Sequence, residues 1–401
     1  MKRRTLIKSL AAAPIVLSFP GRRAFAKAAG ENRLIVVILR GGMDGLAAVP
    51  PVGDPAYGRG RDRLAIPKAD TLALDGGFAL HPCLANLHGF YKAKEAVILH
   101  AIATPYRERS HFDGQDLLEN GTASPKGARD GWLARALDRM PGAPFGEGEA
   151  AVALARSMPL ILRGSRAASS WAPSAIPTPD ADFLARVAGL YEADALLAGA
   201  LMKALVTQEI AGEAMADGGR RRLRPGGGNR RVVREVVRTA GALLSSEAGP
   251  RIGVIEVGGW DTHAGQGAAE GRLANQLSML DDRLAELKAA LGRVWETTAI
   301  AIVTEFGRTA AQNGSGGTDH GTASAAVVVG GAVNGGRVIA DWPGLGGPDL
   351  YEGRDLRPTL DMRRLFKGLL HDHLKIPERG LETAVFPDSA GEPPLYDLVK
   401  V

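Results

Sequence analysis

Leu34-Ile35-Val36-Val37-Ile38-Leu39 runs without a polar break into Arg40-Gly41-Gly42-Met43-Asp44-Gly45. A short apolar run rich in β-branched residues fits a strand buried on both faces, as in a parallel sheet. The pattern returns twice near the C-terminus. Arg251 to Val257 leads into Gly258-Gly259-Trp260-Asp261-Thr262-His263, and Thr298 to Thr304 leads into Glu305-Phe306-Gly307-Arg308-Thr309. Ala96-Val97-Ile98-Leu99 and Ala325 to Val329 read as further strands, and residues 151–162 as two short ones around Met158-Pro159. Helices are predicted over 180–216, 232–246, 268–292 and 358–375. The third carries Leu273, Leu277, Leu280, Leu284 and Leu287 at three- and four-residue steps, and the last has Pro358 near its first turn. Strands alternating with helices predict an α/β fold: a mainly parallel sheet with helices on both faces.

Composition agrees. The chain has 401 residues, 45% apolar and 23% charged, with one cysteine. A chain of this size buries about three quarters of its unfolded surface and needs no disulfide staples. Disorder, collagen and coiled coil are excluded as global descriptions. No stretch reaches the roughly 20 apolar residues of a stable membrane span. Cys83, after His81-Pro82, reads as a buried structural thiol. The net charge of +5 is misleading. Lys2, Arg3, Arg4, Lys8, Arg22 and Arg23 lie in residues 1–26 with no acid, and the remainder carries −1. The high pI is therefore no argument for nucleic acid. Residues 217–231, rich in glycine and arginine, read as an exposed hinge or loop.

Residues 1–26 have the three parts of an export signal: a basic start, an apolar stretch from Ala11 to Phe19, and Ala24-Phe25-Ala26 as a cleavage site. Arg3-Arg4-Thr5-Leu6-Ile7-Lys8 resembles the twin-arginine motif. The other readings are an amphipathic surface helix and an uncleaved anchor. Export would make the twin-arginine translocase a partner and the periplasm or cell exterior the destination. Residues 27–401 would then form a single α/β domain with an insertion around 105–250.

The ionisable residues follow the strands. Asp44 comes after the first, Asp261 and His263 after another, Glu305 ends a third, and Asp319-His320 sits in a loop between two strands. Open α/β sheets bind ligands at the strands' carboxyl ends. Four carboxylates and two imidazoles converging there require positive charge, since like charges raise one another's pKa. A divalent metal is the simplest compensation, and mixed carboxylate and imidazole ligands suit Zn, Mn or Fe. Each piece also has a plainer reading. Asp44 fits a turn aspartate, Asp261 a helix cap, Glu305 a partner for Arg308, and Asp319-His320 a structural loop. Ser110 fits either a helix cap or a nucleophile. His111 fits a ligand or a catalytic group, and Arg107 and Arg109 suit a phosphate or sulfate oxyanion. Phosphate-binding, dinucleotide-binding, serine-elbow and zinc-helix motifs are absent from the sequence.

Arg40-Gly41-Gly42-Met43-Asp44-Gly45, Ser110-His111-Phe112-Asp113, Trp260-Asp261-Thr262-His263, Glu305-Phe306-Gly307-Arg308-Thr309 and Asp319-His320-Gly321 resemble the exported bacterial family catalogued as domain of unknown function 1501. The resemblance runs from about residue 33 to 395. That family is similar in sheet topology to the alkaline phosphatase and sulfatase superfamily, so an alkaline-phosphatase-like sheet is implied. Carried over by position, Asp44 looks like the first metal ligand, Asp261 and His263 like the middle group, and His320 like the last histidine. Glu305 stands where the aspartate of an Asp-His pair would be, and Phe306 replaces its histidine. Ser110 is the best-placed nucleophile, and the formylglycine-type cysteine motif of sulfatases is absent. The resemblance implies a metal-dependent hydrolase of phosphate or sulfate esters, with a small anionic ester as substrate. The rival readings are a non-catalytic envelope protein for binding or assembly, and a single-iron oxidoreductase or hydroxylase.

Overall fold

The first apolar run becomes the middle of the sheet. The computed structural model describes residues 31–142, 150–165, 167–173, 181–191, 193–194, 197–202, 204–205, 229–246 and 249–400. The export segment 1–26 and most of the 217–231 stretch lie outside the described residues.

Strand β1 (Arg33–Arg40) is followed by a small antiparallel pair, β2 (Leu72–Ala73) and β3 (Ala79–Leu80). The main sheet adds β4 (Ala96–Ala103), β5 (Ala151–Leu154), β6 (Ala168–Ser170), β7 (Ile252–Gly258), β8 (Thr298–Thr304), β9 (Ser324–Val329), β10 (Arg337–Ile339) and β11 (Leu360–Asp361). Its order is β10-β4-β9-β8-β1-β7-β5-β6, with β11 also on β4. Every pairing is parallel except those of β9 with β4 and β8. The α/β class with a mainly parallel sheet is thus observed.

Both faces of β1 are covered, which is why its sequence has no polar alternation. Leu34, Val36 and Ile38 share one core with Trp132, Leu133, Phe366 and Phe386. Ile35, Val37 and Leu39 share the other with Leu273, Leu277 and Leu284 of the helix Arg272–Leu291, and with Val237 and Leu244 of the helix Asn229–Ser245. None of the six is more than 4% exposed, and burial of each contributes about 1.5–3 kcal/mol.

Two boundaries differ from the sequence reading. Leu160–Leu162 is a 3-10 turn rather than a strand, because Pro159 has no N–H for a ladder and sets the turn. The next strand of the sheet is β6 instead. The last helix begins at Met362, not near Pro358, since Leu360–Asp361 first pairs with β4. The Asp361 carboxylate then accepts from Arg363 N at 2.8 Å as its cap. The α-helix ends at Gly368 and passes into a π-helical turn, Leu369–His373.

The strand directions gather the chemistry. Parallel neighbours β8, β1 and β7 end at one edge. β9 runs the other way between β8 and β4, so it starts at that edge, and β4 ends there. The loops after β1, β4, β7 and β8 and the loop before β9 therefore meet. In β4 the register shifts between Leu99 and Ile102, with Ala101 at φ +54° and His100 fully buried. No helix among the described residues is long and apolar enough to cross a membrane.

Candidate metal centre

The segments after β8 and before β9 fold back on each other. Arg308 pairs with His320 in an antiparallel bridge. Gly307 N donates to Thr322 O at 2.9 Å and Gly321 N to Gly307 O at 2.9 Å. The approach is too close for a side chain. A Cβ on Gly307 would lie 1.8 Å from the Ala323 carbonyl oxygen, and one on Gly321 2.5 Å from the Arg308 carbonyl carbon. This contact holds Glu305-Phe306-Gly307-Arg308-Thr309 against Asp319-His320-Gly321. The loop after β7 is tied down by Gln266, whose Oε1 accepts from Thr262 Oγ1 (2.7 Å) and Thr318 Oγ1 (2.8 Å). The loop after β4 ends in the helix His111–Asn120, so His111 enters the site from its first turn.

Four side chains converge. Asp261 Oδ1 lies 3.1 Å from His263 Nε2, 3.3 Å from His320 Nε2 and 3.5 Å from His111 Nε2. His263 Nε2 and His320 Nε2 are 2.9 Å apart. The ligand atoms of His111, Asp261 and His320 all fall within 4.8 Å of one another. The outer nitrogens fix the tautomers. His111 Nδ1 faces Glu305 Oε1 at 2.8 Å, His263 Nδ1 faces Asp319 Oδ1 at 3.1 Å, and His320 Nδ1 faces the Arg109 carbonyl at 2.9 Å. All three partners only accept, so each Nδ1 carries a proton and each ring turns its Nε2 inward. His111 Nε2 is buried with no hydrogen-bond partner. With no proton on Nε2, lone pairs aimed at a carboxylate and at one another would repel unless a metal cation lay between them. Ligand atoms of a tetrahedral zinc sit about 3.3 Å apart at bond lengths of about 2.0–2.1 Å. The residues present therefore fit a divalent metal, each imidazole backed by an acceptor as metal-bound histidines are.

Charges around the cluster are balanced one by one. Burial pushes the Asp261 carboxyl up, but the Arg308 hydrogen bond (Nη1 to Oδ1, 2.8 Å) and charge, with His263 and His111, hold it below its usual value. Burial likewise opposes Glu305, whose bonds from His111, Gln115 (3.1 Å) and Gly41 N (2.9 Å) keep it low. Asp319 is lowered first by its bond from Asn313 and then by His263. The Glu305 bond raises His111, whereas burial lowers His320.

Of the nine residues expected at the site, Asp261, His263 and His320 meet, and His111 joins them. Glu305 and Asp319 stand one step out, on ring nitrogens. Asp44 does not join. Its carboxylate caps the helix Gly45–Ala48 through Leu46 N and Ala47 N, accepts from Gln266 Nε2 at 2.7 Å, and pairs with buried Arg61. Arg109 reaches the cluster through its carbonyl, since its guanidinium is held by Asp355 and Glu352. Ser110 is the cap residue before His111, and its side chain makes no capping bond. Phe306 stacks on the His111 ring, centroids 4.7 Å apart. Arg308 pairs with Asp261 rather than with Glu305. Arg61 and Asp355 lie in no motif that points to the site. Arg61 stands in Gly58-Arg59-Gly60-Arg61-Asp62-Arg63, which has the look of a solvated charge run.

The family described as Protein of unknown function (DUF1501) matches residues 91–384. No curated protein matches the chain. Among solved structures, the chain is similar to Ps i-CgsB in complex with k-i-k-neocarrahexaose, at 10% identity over 91% of this chain and 78% of that one, TM-score 0.45. It is also similar to the phosphonate monoester hydrolase of Agrobacterium radiobacter, at 14% identity over 86% and 74%, TM-score 0.35. A third likeness is the PsFucS1 sulfatase from Pseudoalteromonas sp., at 14% identity over 78% and 65%, TM-score 0.37.

Proposed function

The chain belongs to the family described as Protein of unknown function (DUF1501), and we propose that it is a metal-dependent hydrolase of phosphate or sulfate esters. The observation that carries this reading is the convergence of three imidazole Nε2 atoms on the Asp261 carboxylate, each ring oriented from behind. His111, Asp261 and His320 would hold a zinc, manganese or iron ion, with His263 packed beside Asp261 and His320. Such an ion supplies Lewis-acid polarisation of the ester oxygens and offsets their charge.

The chain's own groups do the rest. Glu305, Asp319 and the Arg109 carbonyl keep the rings in the binding tautomer. Arg308 holds Asp261 ionised. Ser110, its hydroxyl not spent on capping its own helix, is the proposed nucleophile toward phosphorus or sulfur. Phe306, 3% exposed against His111, excludes water from the inner side of the cluster. We also propose that residues 1–26 direct the chain through the twin-arginine translocase to the periplasm or beyond.

Metal content and aryl-ester turnover test the reading together. Wild-type protein is expected to carry stoichiometric metal and to hydrolyse an aryl phosphate or sulfate. Asp261→Ala and His320→Ala should lose both properties, and Ser110→Ala should keep the metal and lose turnover. Metal without turnover would favour the second reading, a non-catalytic binding role, which Phe306 in place of a ligating histidine also supports. No metal in the wild type, after incubation with all three ions, would remove the hydrolase reading.

A further inference from the structure

Asp355 is 0% exposed and belongs to none of the segments that form the metal cluster. Its two carboxylate oxygens are divided between two arginines. Oδ2 accepts from Arg109 Nε at 2.7 Å, and Oδ1 accepts from Arg354 Nε at 3.0 Å. Each arginine then reaches His320 by a different route. The Arg109 carbonyl accepts the His320 Nδ1 proton at 2.9 Å, and Arg354 Nη2 donates to the His320 carbonyl. Arg109 holds that carbonyl in place at φ +65°, a left-handed conformation that costs a non-glycine residue about 1–2 kcal/mol. Without Asp355, only the exposed Glu352 would hold its side chain, and Arg109 would relax toward an ordinary φ and swing the carbonyl away. The bracket is itself anchored. Tyr351 N donates to Asp355 O at 2.8 Å, Asp355 N donates to Tyr351 O at 3.0 Å, and Asp355 bridges to Thr309.

We propose that Asp355 is a positioning residue that fixes the tautomer and orientation of His320 through Arg109 and Arg354. The metal consequence rests on the hydrolase reading; the tautomer consequence does not. Asp355→Asn replaces one acceptor oxygen by a donor, so it can serve only one arginine. Glu352, 57% exposed, binds Arg109 from the solvent side and is the internal control.

The test uses nitrogen NMR of the histidine rings in metal-free protein, followed by cobalt titration. In the wild type, His320 is expected as the Nδ1–H tautomer. Asp355→Asn should mix the His320 tautomers, leave His111 and His263 as they were, and weaken cobalt binding about ten- to a hundredfold. Arg354→Gln removes one arm at a half-exposed residue, so it tests the bracket with little risk to folding. It should shift His320 in the same direction by less. Glu352→Gln should leave the tautomers and the cobalt affinity unchanged. A wild-type His320 signal and wild-type affinity in both Asp355→Asn and Arg354→Gln would overturn the proposal. A shifted tautomer in a protein whose wild type binds no cobalt would sink the metal reading and uphold the positioning role.

Discussion

Replacing Arg61 by methionine separates the ion pair under the site from the site itself. The side chains of Arg61 and Asp44 are 0% and 1% exposed. Arg61 donates to Asp44 Oδ2 and, through Nη1, to the Ala310 carbonyl at 3.1 Å. In Arg61→Met the carboxylate keeps its donors, Leu46 N (3.1 Å), Ala47 N (3.2 Å) and Gln266 Nε2 (2.7 Å), but loses its counter-charge. Removing one partner of a buried pair costs about 3–5 kcal/mol, and the surviving donors place this case near about 3. With unfolding entropy near 2.1 cal/mol/K per residue over the roughly 330 described residues, Tm falls by about 4 °C. Asp44→Asn strands the arginine and should cost a similar amount. The double variant removes both charges and should recover to within about 1 kcal/mol of wild type, a coupling of about 5 kcal/mol. Urea denaturation of the four proteins measures the cycle, and cobalt titration of the double variant reads the site. Because Asp44 stands outside the histidine cluster, the double variant should bind cobalt as the wild type does. Additive single effects, or loss of cobalt in the double variant, would refute this assignment of Asp44.

Two further outcomes are expected. Gly307→Ala should cost about 3 kcal/mol or more and abolish metal binding, because its Cβ meets a backbone oxygen; Gly314→Ala, in open space, should melt like wild type. Acid should destabilise the metal-free protein through His100 and His373, both pushed by burial to about 4 from 6.5. The unfolded chain binds those protons first, so the stabilisation is complete above pH 6.5 and is lost as pH falls toward 4, at about 3 kcal/mol each. His111, raised by Glu305, works in the opposite sense but above pH 6.5, where its contribution is lost as pH rises, so it leaves the acid limb unchanged. A urea midpoint that stays flat between pH 6.5 and 4.5 would contradict this.

The strands were legible where both faces are buried, because six apolar residues in a row, bounded by turn residues, suit a doubly covered strand and little else. β1, β7 and β8 were read to within a residue at most ends. From those runs, the edge where Asp261, His263, Glu305 and His320 gather also followed. Strand direction was not legible. Nothing in Ala325 to Val329 says that β9 runs against its neighbours, yet that reversal brings His320 to Asp261. Nor does the sequence show that β4 continues past His100 through a bulge and delivers His111 to the same edge. Arg61 and Asp355 were invisible for another reason. A charged residue in a loop reads as solvated until the fold supplies its partner. Asp44 shows the converse, since a carboxylate after a buried strand suits a ligand and a helix cap equally well.

β1 is bordered by β7 and β8 and by nothing closer in the chain. The first strand to be synthesised therefore waits for partners far down the chain. Its nearest partner begins at Ile252, so at about 5–20 residues per second the apolar stretch Leu34–Leu39 waits roughly 10–40 s for either neighbour. Nascent chains stopped before β7 offer β1 neither of its neighbours and expose an apolar stretch of high β-propensity, held from aggregation only by Arg33 and Arg40 at its ends. Such a topology ties folding to the completion of synthesis. Yield in the cell should respond more to translation rate and to chaperones that cover residues 33–40 than to the stability of the finished protein.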